Sequence, residues 1–248
     1  NTADATFTNT AKGTLRINKT TVGGDGTFTF SVAGPNGYSN TGVSITTSSN
    51  SGSHTITGLT LGTYTVTETN VPAGWSVDQA TRTGTVVLGT PADVTFTNTA
   101  IGDLRIVKNT TSDNGTFSFT VTGPNGYSNT GVSITTSSNS GSHTITGLPA
   151  GTYTVTETSI PSGWTVDQAT KNGTVTQSST TDVTFTNTPN GSLRIVKNTV
   201  DGNGTFTFTV TGPNSYSNTG ISITTSSNSG SHTITGLPAG TYTVTETN

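Results

Sequence analysis

Apolar and polar residues alternate along nearly the whole chain, with a period of two rather than the helical period. In GTLRINK (Gly13–Lys19), Leu15 and Ile17 share a face. In TYTVTE (Thr63–Glu68) the paired positions are Tyr64 and Val66, and in DVTFTN (Asp93–Asn98) they are Val94 and Phe96. Between these runs lie TFTFSV with Phe28, Phe30 and Val32, a run around Gly42–Thr47, HTITGL (His54–Leu59) and TGTVVL (Thr83–Leu88). Turn signals separate them: a glycine-rich stretch at Val22–Gly26, Gly34-Pro35-Asn36-Gly37, and Pro72-Ala73-Gly74-Trp75. About seven or eight short, regularly spaced strands and no helix predict an all-β antiparallel sandwich. Trp75 and Val77 are expected at its edge or in its core.

Three of these strands carry the apolar face straight into a polar residue. The next residue on the inward face is Lys19 in the first, Glu68 in the second and Asn98 in the third. Inward Lys and Glu are costly unless they are paired.

The whole pattern repeats with a period of 89 residues, which separates Lys19, Lys108 and Lys197, then Glu68, Glu157 and Glu246, then Asn9, Asn98 and Asn187. That length suits a tandem sandwich domain and is too long for a solenoid repeat. The expected organisation is the last strand of a preceding repeat (residues 1–10), two repeats (11–100 and 101–189) and an incomplete repeat (190–248). The chain reads as a window of a longer array. The alternative is that residues 1–10 donate a strand to the third unit of a neighbouring chain. The short connection from Asn98 to Gly102 is expected to hold successive units nearly end to end.

Composition adds limits. Charged residues are 8% of the chain and the net charge is -3, which gives no basis for a nucleic-acid or anionic-membrane partner. No apolar run is long enough for a membrane-spanning helix, so no membrane insertion is expected. The 27% hydrophobic content raises the question of disorder, but abundant Thr and Val alternating with aromatics favour sheet. Cysteine is absent, so a small core cannot be stapled by disulfides. The Thr/Ser/Asn/Gly-rich, charge-poor surface reads as extracellular.

The trio suggests its own staple. Burial favours a neutral lysine amine and a protonated carboxyl. The amine can attack the asparagine carboxamide while glutamate shuttles the proton, releasing ammonia and leaving a Lys–Asn isopeptide bond. Fixed geometry offsets the poor reactivity of an amide. All three glutamates of the chain belong to this pattern. The alternative is a buried Lys–Glu ion pair hydrogen-bonded to Asn, with no covalent bond.

GDLRIVKNT (Gly102–Thr110), LPAGTYTVTET (Leu148–Thr158), IPSGW (Ile160–Trp164) and DVTFTNT (Asp182–Thr188) resemble the collagen-adhesin B-type (Cna-B) and major-pilin domains of bacterial surface proteins. The resemblance spans the chain and implies tandem immunoglobulin-like or transthyretin-like sandwiches that often carry such a bond. It implies the cross-linked lysine at Lys19, Lys108 and Lys197, the catalytic glutamate at Glu68, Glu157 and Glu246, and the acyl donor at Asn98 and Asn187. Two departures stand out: Trp75 and Trp164 occupy a position where tyrosine is usual, and no sorting signal for wall anchoring is present. Lys197 and Glu246 have no Asn partner at the repeat spacing in this chain, and Asn9 has no Lys partner.

Other features carry less. His54, His143 and His232 occur once per unit without a cysteine or carboxylate cluster and read as surface residues. The loops at Asp25, Asp113 and Asp201 lack calcium-ligand spacing and read as turns. Asn18, Asn109, Asn114, Asn172, Asn190 and Asn203 fall in N-x-S/T sequons, common by chance in so Thr-rich a chain. No Ser/His/Asp order suggests a hydrolase, and no repeated Asp is placed to complete one. No cofactor or turnover activity is expected. The function expected is the shaft of an extracellular, cell-surface fibre, pilus or adhesin stalk, whose partners are further copies of itself in a filament. The alternative is a multivalent adhesive module for an extracellular protein or glycan, using loops such as Tyr38–Ser53.

Overall fold

A computed structural model describes residues 2–247. In the first unit the strands are β1 (Lys12–Val22), β2 (Thr27–Gly34), β3 (Tyr38–Thr46), β4 (Ser51–Thr60), β5 (Gly62–Asn70), β6 (Trp75–Val77), β7 (Thr81–Val86) and β8 (Ala92–Thr110). They form two sheets. One has the order β3-β2-β5-β7 and is antiparallel throughout. In the other, β1 lies between β4 and β8, and β6 pairs with the far edge of β8. Leu15, Ile17, Phe28, Phe30, Tyr64, Val66 and Phe96 fill the space between the sheets, all fully buried. Their outward neighbours are mostly threonines, many of them paired hydroxyl to hydroxyl across strands, as at Thr27–Thr46 and Thr67–Thr81.

The second unit repeats this with β9 (Thr116–Thr122), β10 (Ser128–Thr135), β11 (Ser140–Pro149), β12 (Gly151–Ser159), β13 (Trp164–Val166), β14 (Thr170–Val175) and β15 (Thr180–Pro189). Its antiparallel sheet is β10-β9-β12-β14, and the second half of β8 serves as its first strand. In the third unit β16 (Gly191–Asn198) pairs with β19 (Ser229–Leu237), while β17 (Thr205–Thr211) lies between β18 (Ser217–Thr224) and β20 (Thr243–Glu246). Each unit has its own hydrophobic core.

One pair in each of the first two units departs from the all-antiparallel expectation. β1 runs parallel to β8, from Leu15 beside Ala92 to Val22 beside Thr99, and β15 runs parallel to β8, from Thr180 beside Asp103 to Asn187 beside Thr110. Alternation fixes which face a residue occupies, not the direction of the neighbouring strand.

The expected connector after Asn98 is not a loop. β8 continues unbroken through it, so the last strand of one unit becomes the first strand of the next. The crossing point is held from both sides: Ile101 N–H donates to Gly74 O at 2.8 Å, Ala150 N–H to Ala100 O at 2.9 Å and Asp103 N–H to Ser179 O at 2.8 Å. Gly102 has no room for a side chain, since a Cβ there would lie 2.1 Å from Thr176 O.

Residues 2–10 do not form the strand that their alternation predicts. They are exposed, with Phe7 92% accessible. A strand without a neighbour leaves its backbone ladder unpaired and its apolar face in water. Asn1 and Asn248 lie outside the described residues.

Hydrogen bonds brace the turns. Asp25 accepts from the Ser49 and Asn50 N–H groups, and Asn114 and Asn203 brace the equivalent hairpins through Asn139 and Asn228 N–H. His54, His143 and His232 are exposed.

Candidate functional site

The inward face of β1 reads Leu15, Ile17, Lys19, and that of β8 reads Val94, Phe96, Asn98. Parallel pairing sets Lys19 beside Phe96 and Asn98 beside Thr21, so the lysine and asparagine are diagonal neighbours on one face. Glu68 comes from the opposite sheet, on β5, where it pairs with Phe30. Lys19 and Asn98 are 0% exposed and Glu68 is 5% exposed.

In the first unit all three touch. Lys19 Nζ donates to Glu68 Oε2 at 3.1 Å and to Asn98 Oδ1, and Asn98 Nδ2 donates to Glu68 Oε1 at 2.6 Å. One carboxyl group therefore spans the amine and the carboxamide nitrogen, one oxygen on each. The Phe28 ring lies 4.3 Å from Lys19 Nζ, and Phe30 and Phe96 pack beside it with centroids 5.1 Å apart. An aromatic face favours a cation. Desolvation outweighs it and lowers the Lys19 pKa, with Glu68 opposing.

The second unit brings the same residues together more loosely. Lys108 Nζ is 3.6 Å from Glu157 Oε2, both side chains fully buried, and Asn187 Nδ2 donates to Glu157 Oε1 at 2.5 Å. Asn187 Oδ1 and Glu157 Oε2 are buried without a hydrogen-bond partner. Burial lowers the Lys108 pKa and raises that of Glu157, with the charge of each partner opposing. Both shifts move the pair toward neutral amine and neutral acid.

The third unit has only two members in place. Lys197 Nζ lies 2.9 Å from both carboxylate oxygens of Glu246, and the two side chains are 22% and 37% exposed. Asn9 sits on the exposed segment at residues 2–10 rather than on a strand.

Two residues beside the site escaped the sequence reading. Asp78 and Asp167 follow the short strands β6 and β13, and each anchors the strand that carries the asparagine: Asp78 N–H donates to Thr97 O at 3.0 Å and Asp167 N–H to Thr186 O at 2.9 Å. Their partners Arg82 and Lys171 lie over the buried rings of Phe96 and Phe185. The signal for them in the sequence is their 89-residue spacing, the same as that of the trio.

Residues 15–102 and 102–189 each match a family model described as a prealbumin-like fold domain, the second that of SpaA and the first a SpaA variant. The first two units are SpaA-type prealbumin-like domains. Residues 193–248 match a domain of unknown function, DUF5979. No curated protein matches the chain. Among solved structures, the Bacillus anthracis TIE protein is 24% identical over 96% of this chain and 45% of its own, with a TM-score of 0.43. The chain thus spans less than half of that protein's length. The major pilin subunit BcpA of Bacillus cereus is 15% identical over 95% of this chain and 88% of its own, at TM-score 0.36. A minor pilin of Streptococcus agalactiae is 15% identical over 71% and 96%, at TM-score 0.31. All three scores are below 0.5, so the assignment of the SpaA-type domains rests on the family matches.

Proposed function

We propose that the chain is a structural segment of the shaft of an extracellular, cell-surface fibre, pilus or adhesin stalk, and that its SpaA-type domains are each locked by an autocatalytic Lys–Asn isopeptide bond. The observation that carries this reading is the Lys19–Glu68–Asn98 cluster, desolvated and in mutual contact, with Lys108, Glu157 and Asn187 gathered at the equivalent place one period later. The unbroken strand β8 between the two units and the near identity of the repeats support a load-bearing role over diverse recognition.

The chemistry follows from the contacts. Lys19 Nζ, as the neutral amine, attacks Asn98 Cγ. The Nζ–Cγ bond forms and the Cγ–Nδ2 bond breaks. One amine proton passes by way of the Glu68 carboxyl group to Nδ2, and the nitrogen leaves as ammonia. Glu68 ends as it began, so the reaction occurs once per domain and is not turnover catalysis. The aromatic walls exclude water, which would otherwise solvate the amine and carboxyl in their charged forms.

Intact mass tests this directly. Each bond removes one ammonia, about 17 Da, so two bonds lower the mass by roughly 34 Da. A mass equal to the sum of the residues would overturn the covalent reading and leave a buried ion pair.

A further inference from the structure

The geometry points to Asp78 and Asp167 as positioning residues for cross-linking, acting through the turn that each begins. This inference rests on the isopeptide reading above and concerns which residues outside the trio make its geometry reactive.

The trio is split between two sheets, since β1 and β8 carry the lysine and asparagine while β5 carries the glutamate. Something must fix the separation of the sheets at this level. The turn Asp78–Ala80 touches both. Asp78 N–H donates to Thr97 O at 3.0 Å, and Thr97 N–H returns a bond to Asp78 Oδ1 at 3.2 Å. Thr97 directly precedes Asn98. Two residues on, Ala80 O accepts from Glu68 N–H at 2.8 Å. The turn is thus a backbone bracket between the residue before the acyl donor and the proton-shuttling glutamate itself.

The Asp78 carboxylate holds the bracket in shape. Oδ1 also accepts from Gln79 N–H at 2.7 Å, and Oδ2 takes Arg82 Nη2 at 2.6 Å. Arg82 in turn lies 5.7 Å from the centroid of the Phe96 ring, on the strand that carries Asn98.

The second unit repeats the bracket. Asp167 N–H donates to Thr186 O at 2.9 Å, Glu157 N–H donates to Ala169 O at 2.8 Å, and Asp167 Oδ1 accepts from Gln168 N–H at 2.7 Å. Lys171 replaces Arg82. Its Nζ donates to Asp167 Oδ2 and to Thr184 O, both at 2.6 Å. Two domains with different cations at one position thus retain the same aspartate and the same two backbone anchors. The carboxylates of Asp78 and Asp167 are about two-fifths exposed and form no hydrogen bond with the trio. Their negative charge favours the protonated form of Lys19 and Lys108, against the neutral amine that the reaction needs, so their contribution to the rate is on position.

The test uses the full chain recovered unfolded and not yet cross-linked and then folded, with the Lys19–Asn98 and Lys108–Asn187 bonds followed separately by mass mapping of proteolytic fragments. Asp78→Ala is expected to slow formation of the Lys19–Asn98 bond roughly 10- to 100-fold, the range in which small displacements of reacting groups act. The Lys108–Asn187 bond in the same molecule should form at its usual rate. Asp78→Asn keeps an oxygen for the Thr97 and Gln79 N–H groups and is expected to restore most of the rate, a rescue that a general loss of stability would not show. Equal rates for Asp78→Ala and the unaltered chain would overturn the inference. Should Asp78→Ala fail to fold, Asp78→Ser, a shorter turn-forming residue, takes its place, and an unchanged rate there overturns it equally. If neither bond forms in the unaltered chain, the isopeptide reading fails instead, and the two failures are distinct.

Discussion

Glu68→Gln separates the cross-link from the fold. The substitution keeps size and shape at a buried position. With its carbonyl oxygen toward Asn98 Nδ2, the new amide places its NH2 group toward the neutral Lys19 amine, which can accept it. What it removes is the carboxyl group that relays the proton from amine to leaving nitrogen. The Lys19–Asn98 bond then should not form, while the Lys108–Asn187 bond is untouched. The loop from Lys19 to Asn98 contains 80 residues. Closing a loop of that size in the unfolded chain is worth about 4.5 kcal/mol by the chain-entropy relation used for disulfides. For a domain of this length, each kcal/mol moves the midpoint by about 4–8 °C, so the first unit should melt roughly 20–35 °C lower. Intact mass and scanning calorimetry on the same sample make the measurement: the mass deficit falls from about 34 to about 17 Da, and one transition moves while the other stays. A full deficit in the variant would refute the role of Glu68 in proton transfer. A halved deficit with unmoved transitions would refute the entropic account of the bond's value.

Two other outcomes are expected. The folding-linked rate of the Lys108–Asn187 bond, in chain not yet cross-linked, should be bell-shaped in pH, since the reaction needs Lys108 neutral and Glu157 protonated. Burial lowers the first group and raises the second, so both limbs should lie inside the ordinary values of about 10.4 and 4.3, and limbs at or outside those values would contradict this. Gly34→Ala should destabilise the first unit by about 1–3 kcal/mol in urea unfolding, because the added Cβ would lie 2.3 Å from the buried ring of Tyr64, whose hydroxyl is tied to Thr60 O; an unchanged midpoint would show that the ring moves freely.

Much of this was legible in the alternation itself. Leu15, Ile17 and Lys19 were read on one face and are all fully buried, as are Val94, Phe96 and Asn98 to within 3%. The fixed period then puts Lys108, Glu157 and Asn187 on the equivalent inward faces, where Glu157 meets both partners but Asn187 Oδ1 stays unpaired. Trp75 was placed at the edge or in the core, and it packs edge-on against Phe28 with 7% exposure. What alternation cannot carry is direction and partnership. The parallel match of β1 with β8 depends on chain reversal through six intervening strands, none of which marks its partner in sequence. The continuity of β8 was hidden for a related reason, since Ala100, Ile101 and Gly102 look like a linker until both flanking units bond to their backbone. The Asp78 bracket was missed because its key contacts are made by main-chain atoms, to which side-chain identity is a poor guide. The extended segment at residues 2–10 reads identically to β8 at Thr95–Asn98 through Thr6–Asn9, yet only the copy with a neighbouring strand becomes sheet.

The parallel pairing of β1 and β8 also decides how a unit meets tension. The chain enters at the start of β1 and leaves from the end of β8, so a pull along the chain drags these neighbours in opposite directions along their length. The eight residue pairs from Leu15–Ala92 to Val22–Thr99 are then loaded together in shear instead of opening one by one like a zipper. With Lys19 joined to Asn98, the force path would pass from β1 directly into β8 and on toward Lys108, leaving Thr20–Thr97 slack. Those 78 residues could extend by about 260–280 Å if released, and that length would be withheld from a stretched unit.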